Sequence, residues 1–200
     1  MNTLLHIQNS LFGARGQSAM LAEVFIQRWR EQHPGGRVVT RDLTASPLPH
    51  LDADRFLALL ADPASRTPDQ AAVVAESDAL IAELQAADEL LIGMPMYNFA
   101  APSQFKAWVD LVARAGVTFK YTASGPQGLL ADRPTTVIAT RGGMYQGTDA
   151  DVQTPWLRQI LGFMGLRNVR FVYAEGFALG EAAQTQAADS GRQQIERLFG

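Results

Sequence analysis

Residues 95–99, Pro95-Met96-Tyr97-Asn98-Phe99, follow directly on the apolar run Leu90-Leu91-Ile92-Gly93-Met94. Two rings flank a side-chain amide here, so the turn after a buried strand offers aromatic faces with one donor group and one acceptor. That set suits a planar heteroaromatic ligand. The same residues would also serve as a proline-started turn whose aromatics cap a core. Two other segments bear on the choice. Asn9-Ser10-Leu11-Phe12-Gly13-Ala14-Arg15-Gly16-Gln17-Ser18 carries hydroxyls at Ser10 and Ser18, an amide at Gln17 and small residues at Gly13 and Gly16. It runs into a helix, where unpaired N–H groups and the positive end of the dipole favour an anion such as phosphate; the dipole is worth ~0.3–1 kcal/mol. A polar loop ending in a serine cap is the plainer reading. Thr140-Arg141-Gly142-Gly143 places two glycines in succession, which lets backbone approach a ligand closely and present N–H groups to it.

These segments all lie where strands end. Apolar runs predict strands at 3–8, 37–42, 89–94, 135–140 and 169–174. Helical periodicity predicts helices at 18–32, with Ser18 as cap and Leu21, Phe25 and Trp29 on one face, near 53–60, and at 67–86 with Thr67 as cap and Pro68 in the first turn. Further helices are predicted at 102–113, 154–164 and 181–199. A glycine-bearing excursion, 114–132, holds the alternating piece Thr118-Phe119-Lys120-Tyr121-Thr122. Strands alternating with helices predict a single α/β domain over residues 1–200. The expected architecture is a flavodoxin-like, doubly wound, five-stranded parallel sheet of order 2-1-3-4-5, with helices on both faces. In that order the ends of strands one, three and four meet at one crevice, where such folds bind ligands. A flavin mononucleotide (FMN) needs both halves of it, a phosphate nest at one side and N–H donors with flat apolar walls at the other.

Composition removes other classes. The chain has 200 residues, 47% hydrophobic and 18% charged, with a formal net charge of −3, which argues against disorder and gives no basic footprint for nucleic acid. No apolar run approaches the ~20 residues that span a bilayer, and the N-terminus lacks the pattern of a signal peptide; the expected location is the cytoplasm. With no cysteine and three histidines at unrelated spacings, disulfides, thiol nucleophiles and a zinc site are not expected. There is no P-loop motif, and no G-x-G-x-x-G follows the first strand, so a mononucleotide fits better than a tightly held dinucleotide.

The chain resembles the FMN-dependent NADH:azoreductases, also described as NADH:quinone oxidoreductases. The likeness runs end to end. It is most specific at Pro95-Met96-Tyr97-Asn98-Phe99, Asp110-Leu111-Val112-Ala113-Arg114-Ala115-Gly116-Val117-Thr118-Phe119, Arg141-Gly142-Gly143 and Leu161-Gly162-Phe163. The resemblance implies that Ser10, Gly16, Gln17 and Ser18 hold the FMN phosphate. It implies that Met96, Tyr97, Asn98 and Phe99 line the isoalloxazine and that Thr140, Arg141, Gly142 and Gly143 bound its far edge. It also implies a homodimer, with Phe119, Tyr121 and Phe163 walling the neighbouring subunit's pocket, and ping-pong reduction of quinones and azo compounds by NADH. The flavin carries that chemistry, so no catalytic side chain is assigned. One departure is Gly16, where the family commonly has a serine; Arg15 beside it is the expected compensation.

The alternative function is a flavodoxin-type electron carrier that binds FMN without oxidising nicotinamide. Against it stand the mild charge and the 114–132 excursion. A receiver-type signalling domain would need clustered acidic residues after strand one, where Gln8-Asn9-Ser10 stands instead. Trp29, Trp108 and Trp156 read as core or interface anchors, His6 as a packed histidine, and Arg41-Asp42 as a strand end with a surface ion pair.

Overall fold

A computed structural model describes residues 2–200. Five parallel strands form the sheet: β1 (Thr3–Gln8), β2 (Arg37–Asp42), β3 (Glu89–Pro95), β6 (Thr135–Arg141) and β7 (Val169–Glu175), in the order β2-β1-β3-β6-β7. In sequence order of the sheet strands that is 2-1-3-4-5, a flavodoxin-like fold as the alternating rhythm predicts. The other two strands, β4 (Phe119–Thr122) and β5 (Gly125–Gly128), form a separate antiparallel hairpin inside the 114–132 excursion. Its short alternating run had shown only its first arm.

Helices cover both faces. α1 (Gln17–Gln32) and α6 (Glu181–Glu196) pack on one side, where Leu4, Leu91, Ile138 and Val172 meet Leu21, Phe25, Ile26 and Trp29. α3 (Pro68–Ala86), α4 (Ser103–Val112) and α5 (Gln153–Met164) pack on the other, against Leu5, Ile7, Ile92 and Val137. Odd and even residues of each central strand thus feed different layers. Both layers are apolar, so β3 and β6 are buried along nearly their whole length. α2 (Ala53–Leu60) stands outside this core and leaves Phe56, Leu57 and Leu60 exposed.

Helix starts decide much of the local chemistry. At α3 the Thr67 hydroxyl accepts from Gln70 N–H and the Gln70 side chain accepts from Thr67 N–H, a capping box with Pro68 in the first turn. The expected cap at Ser18 is displaced, and α5 starts one residue before its predicted bound. α1 begins at Gln17 with Gly16 as its cap residue, so Ser18 lies buried inside the first turn. α5 begins at Gln153; its early Thr154 N–H is taken by the Asp151 carboxylate at 3.0 Å. Trp29 and Trp108 are buried core, and Trp156 is half-buried against it. Arg41 does not pair with Asp42. It reaches Glu83 of α3, while Asp42 accepts from Gln8, Thr44 and Ala45.

Candidate functional site

A crevice of about 310 Å³ opens at the carboxyl ends of β1, β3 and β6. Its lining includes Ser10, Gly16, Gln17 and Ser18 from the first loop, Met96 and Tyr97 after β3, and Thr140, Arg141 and Gly142 from the end of β6. The three segments that suggested a ligand therefore meet. Parallel pairing of β3 with both β1 and β6 brings their ends to one edge.

At the end formed by the first loop, the chain makes a 3₁₀ turn, Gly13–Arg15, before α1. No side chain caps α1. The Ser18 and Gln17 side chains have no hydrogen-bond partner among the described residues, whereas the Ser10 hydroxyl accepts Phe12 N–H at 3.3 Å. Buried Asn9 donates to Gly93 O at 2.8 Å and leaves its own Oδ1 without a partner. An uncapped helix start flanked by hydroxyls fits a bound oxyanion; the unmatched Asn9 Oδ1 is an acceptor and calls for a donor instead. Gly16 is dictated by space: a Cβ there would lie 1.8 Å from Ser10 Oγ and 2.8 Å from Ser10 Cβ. Ser10 fills the volume a side chain at position 16 would need. Arg15 is exposed and does not line the crevice.

The turn after β3 differs from a proline-started one. Pro95 is the last residue of the strand, and Tyr97 and Ala100 pair across a two-residue turn with N–H···O distances of 3.1 and 3.0 Å. Its central residues, Asn98 (φ 49°) and Phe99 (φ 64°), are the non-glycine residues with positive φ among those described. Asn accepts this conformation; Phe in it is strained by ~1–3 kcal/mol. Asn98 and Phe99 stand exposed at the edge rather than in the crevice lining, with Phe99 facing an adjoining apolar cavity of about 380 Å³ beside Val152 and Trp156. Gln153 underpins the turn by donating to Pro95 O and Ala100 O, both at 3.1 Å.

Arg141 lines the crevice by position, but its guanidinium turns inward. It is fully buried and bonds Glu175 at 3.0 Å, Asp151 at 2.8 Å and the Thr154 hydroxyl at 2.9 Å, and it lies over the Tyr173 ring at 5.1 Å. Burial opposes ionisation of Asp151, yet the bonds from Arg141 and Thr154 outweigh it and hold that carboxyl below its ordinary range. Gly142 and Gly143 are fixed by the segment after β7: Ala178 N–H donates to Gly142 O at 2.9 Å and Gly176 N–H to Gly143 O at 3.1 Å.

Phe119, Tyr121 and Phe163 also come together, with Phe119 and Phe163 ring centres 4.2 Å apart and Tyr121 edge-on to Phe119 at 5.6 Å. They lie on the hairpin and α5, and none of them lines the crevice of its own chain. Phe177 and Ala178, which do line it, were missed. Their signal was the Gly176-to-Gly180 segment after the last strand, a fourth strand end beside the third. Among the described residues no group of acidic and histidine side chains could hold a metal, and no helix is long and apolar enough to cross a membrane.

An open parallel sheet with an anion-binding helix start and an aromatic turn facing each other across its switch point defines a mononucleotide-binding protein of flavodoxin-like type. The sequence model described as Flavodoxin-like fold matches residues 2–199. An "FMN-dependent NADH:quinone oxidoreductase" of Cellvibrio japonicus is 49% identical over 98% of both chains, and one of Alcanivorax borkumensis is 45% identical over 98% of both. Among solved structures, an azoreductase from Bacillus anthracis superposes with a TM-score of 0.90 at 27% identity, covering 100% of this chain and 99% of that one. The chain belongs to this family of flavin-dependent NADH:quinone oxidoreductases.

Proposed function

We propose that the protein is an FMN-dependent oxidoreductase that takes electrons from NADH and delivers them to quinones and, more slowly, to azo compounds. The observation that carries the reading is the crevice itself. Its two ends are chemically distinct: hydroxyls and an uncapped helix start at one side, an aromatic turn and the Gly142-Gly143 strand end at the other. Ser10, Gln17, Ser18 and the first N–H groups of α1 would hold the phosphate. Met96, Tyr97 and the Thr140–Gly143 backbone would border the ring system, with Asn98 and Phe99 at its open edge. When bound, FMN supplies a two-electron relay between nicotinamide and acceptor. The chain's own contribution is to orient the ring, to offer backbone N–H groups where negative charge accumulates, and to keep water from the ring behind apolar walls. One open slot would serve donor and acceptor in turn, which is a ping-pong order. An acceptor lying flat there is selected by planarity more than by particular substituents.

We also propose a cytoplasmic homodimer. Exposed Phe56, Leu57, Leu60, Phe99, Tyr121 and Val152 give one chain more uncovered apolar surface than a solitary domain needs. Twice the chain mass by sedimentation at micromolar concentration is the expected result; a fully active monomer refutes it.

The deciding experiment is the absorption spectrum of the purified protein supplied with FMN. Flavin bands that bleach on adding NADH anaerobically and return with a quinone support the reading. Bands that NADH leaves unchanged would make the chain an electron carrier. No retained FMN would remove the reading altogether.

A further inference from the structure

Buried charge that serves no obvious reaction sits directly behind the crevice wall. Arg141, Asp151 and Glu175 form a triad of one cation and two carboxylates, with side chains 0%, 7% and 7% exposed. As a source of stability this is a poor device, because desolvating three charges cancels much of their attraction and apolar residues would serve as well. Its hydrogen bonds lead instead to backbone. Glu175 Oε1 accepts from Arg141 Nη1 at 3.0 Å and from the N–H groups of Tyr145 and Gln146, both at 2.9 Å. Asp151 bonds Arg141 and also Thr154 at the start of α5. The triad therefore grips the 142–152 loop at two points, near its beginning and at its end.

Between those grips lies Tyr145. Its ring packs on Gly143, where an added Cβ would meet the ring at 2.7 Å, and stands edge-on to Phe99 with centres 5.4 Å apart. The Gly142-Gly143 backbone and the strained Asn98-Phe99 turn thus share one wedge. The position of that wedge depends on Glu175, and the position of Glu175 on Arg141. Apart from those to Glu175, the hydrogen bonds of residues 144–150 are local, while the backbone strip 176–178 bonds residues 141–143.

We propose that Arg141 is a positioning residue: through Glu175 and Asp151 its guanidinium sets the 144–151 loop and, through Tyr145 packed on Gly143 and Phe99, the wall of the crevice, and so fixes the pose of the flavin ring without its side chain touching it. The inference rests on the FMN reading above. It takes the Arg141 side chain out of direct cofactor contact and gives its guanidinium fork the task of holding two carboxylates at once, which a lysine ammonium cannot do in the same geometry.

The test compares the wild-type holoprotein with Arg141→Lys, Glu175→Gln and Asp151→Asn. Readouts are the FMN dissociation constant from flavin fluorescence, the visible circular dichroism of bound FMN, and kcat and KM for NADH and a benzoquinone. Arg141→Lys and Glu175→Gln should each weaken FMN about tenfold or more, the loss expected for one charge-assisted bond. They should also change the visible dichroism and lower kcat more than they raise KM. Asp151 holds the far end of the loop at Thr154, away from Tyr145, so Asp151→Asn should change FMN affinity less than about threefold. A role in folding alone would leave the spectrum and affinity of the folded variants within twofold of wild type, and that result overturns the proposal. If Arg141→Lys does not fold, Glu175→Gln decides by the same readouts. Wild-type protein that binds no FMN overturns the FMN reading and this inference together; wild type that binds with unaffected variants overturns this inference alone.

Discussion

His6 offers the sharpest quantitative test of the fold. It lies in β1 facing the α1 layer, 4% exposed, and its Nε2 has no hydrogen-bond partner. Burial lowers its pKa from 6.5 to about 4, against the opposing pull of Asp42. Gln8, Glu23, Arg30 and Thr40 face the same cavity of about 410 Å³. Between pH 4 and 6.5 the unfolded chain binds a proton at this position and the folded chain does not. Stability therefore rises with pH through that window and levels off above it. The linkage amounts to about 2 kcal/mol lost on going from neutral pH to pH 5, and about 3 kcal/mol below pH 4. Asp42, Asp132 and Asp151, whose pKa values are lowered from 3.8, lose their contribution in the same direction. They do so only as pH falls through the carboxylate range, so pH 5 isolates the histidine. His6→Leu removes the titration and the orphaned nitrogen together. Urea unfolding at pH 7.5 and pH 5.0, with FMN treated alike in both proteins, should show the wild type losing about 2 kcal/mol more than the variant at unchanged slope. An equal loss in both would refute the assignment of the pH dependence to His6.

Other perturbations address the crevice. Phe99→Gly relieves ~1–3 kcal/mol of left-handed strain against ~0.4–1 kcal/mol of added chain entropy; thermal unfolding should show an equal or higher Tm with slower acceptor reduction, and a large drop in Tm contradicts the strain. Gly16→Ser forces Ser10 aside at a cost of ~1–3 kcal/mol and should weaken FMN in a fluorescence titration; adding Ser10→Gly should recover stability. Ser10→Ala with Ser18→Ala removes charge-assisted bonds to phosphate worth ~1.5–3 kcal/mol each, and wild type should hold FMN far more tightly than riboflavin; equal binding of the two in calorimetry would misplace the phosphate. Phe163→Ala should shift relative kcat/KM across benzoquinones, naphthoquinones and an azo dye more than it shifts FMN affinity.

The sheet was legible because its strands are continuous apolar runs punctuated by capped helices, and a parallel sheet puts every carboxyl end on one edge. That alone brought Ser10, Tyr97 and Gly142 together. The direction of Arg141 was not legible for the same reason. β6 is buried on both faces, so its composition carries no in-and-out alternation to show which layer the last side chain enters. The layers supply it: Arg141 shares parity with Val137, and Glu175 with Tyr173 and Phe171, on the face that packs against α5. The hairpin was half seen because Gly125-Pro126-Gln127-Gly128 has no strand-like side chains and is held by pairing with residues 119–122 and by close packing of Gly128 on Gly165.

Apart from the orphaned His6 Nε2 and Arg66 Nε, which lie away from the crevice, much of what local rules fail to explain gathers in one place. Two consecutive non-glycine residues take positive φ, a wholly buried arginine holds two carboxylates, and Asn9 Oδ1 and Gln153 Oε1 are buried without partners. Each costs free energy that a chain selected for stability alone would avoid. Elsewhere the two layers are filled by buried apolar side chains. The exceptions border the crevice or the turn and loop that wall it, from three different strand ends, so they do not reflect one poorly folded segment. Local cost gathered from distant parts of the sequence onto one concave surface is what a preorganised ligand site requires. Position 16 follows the same logic: once Ser10 occupies that corner, glycine is the residue that fits beside it at the helix start.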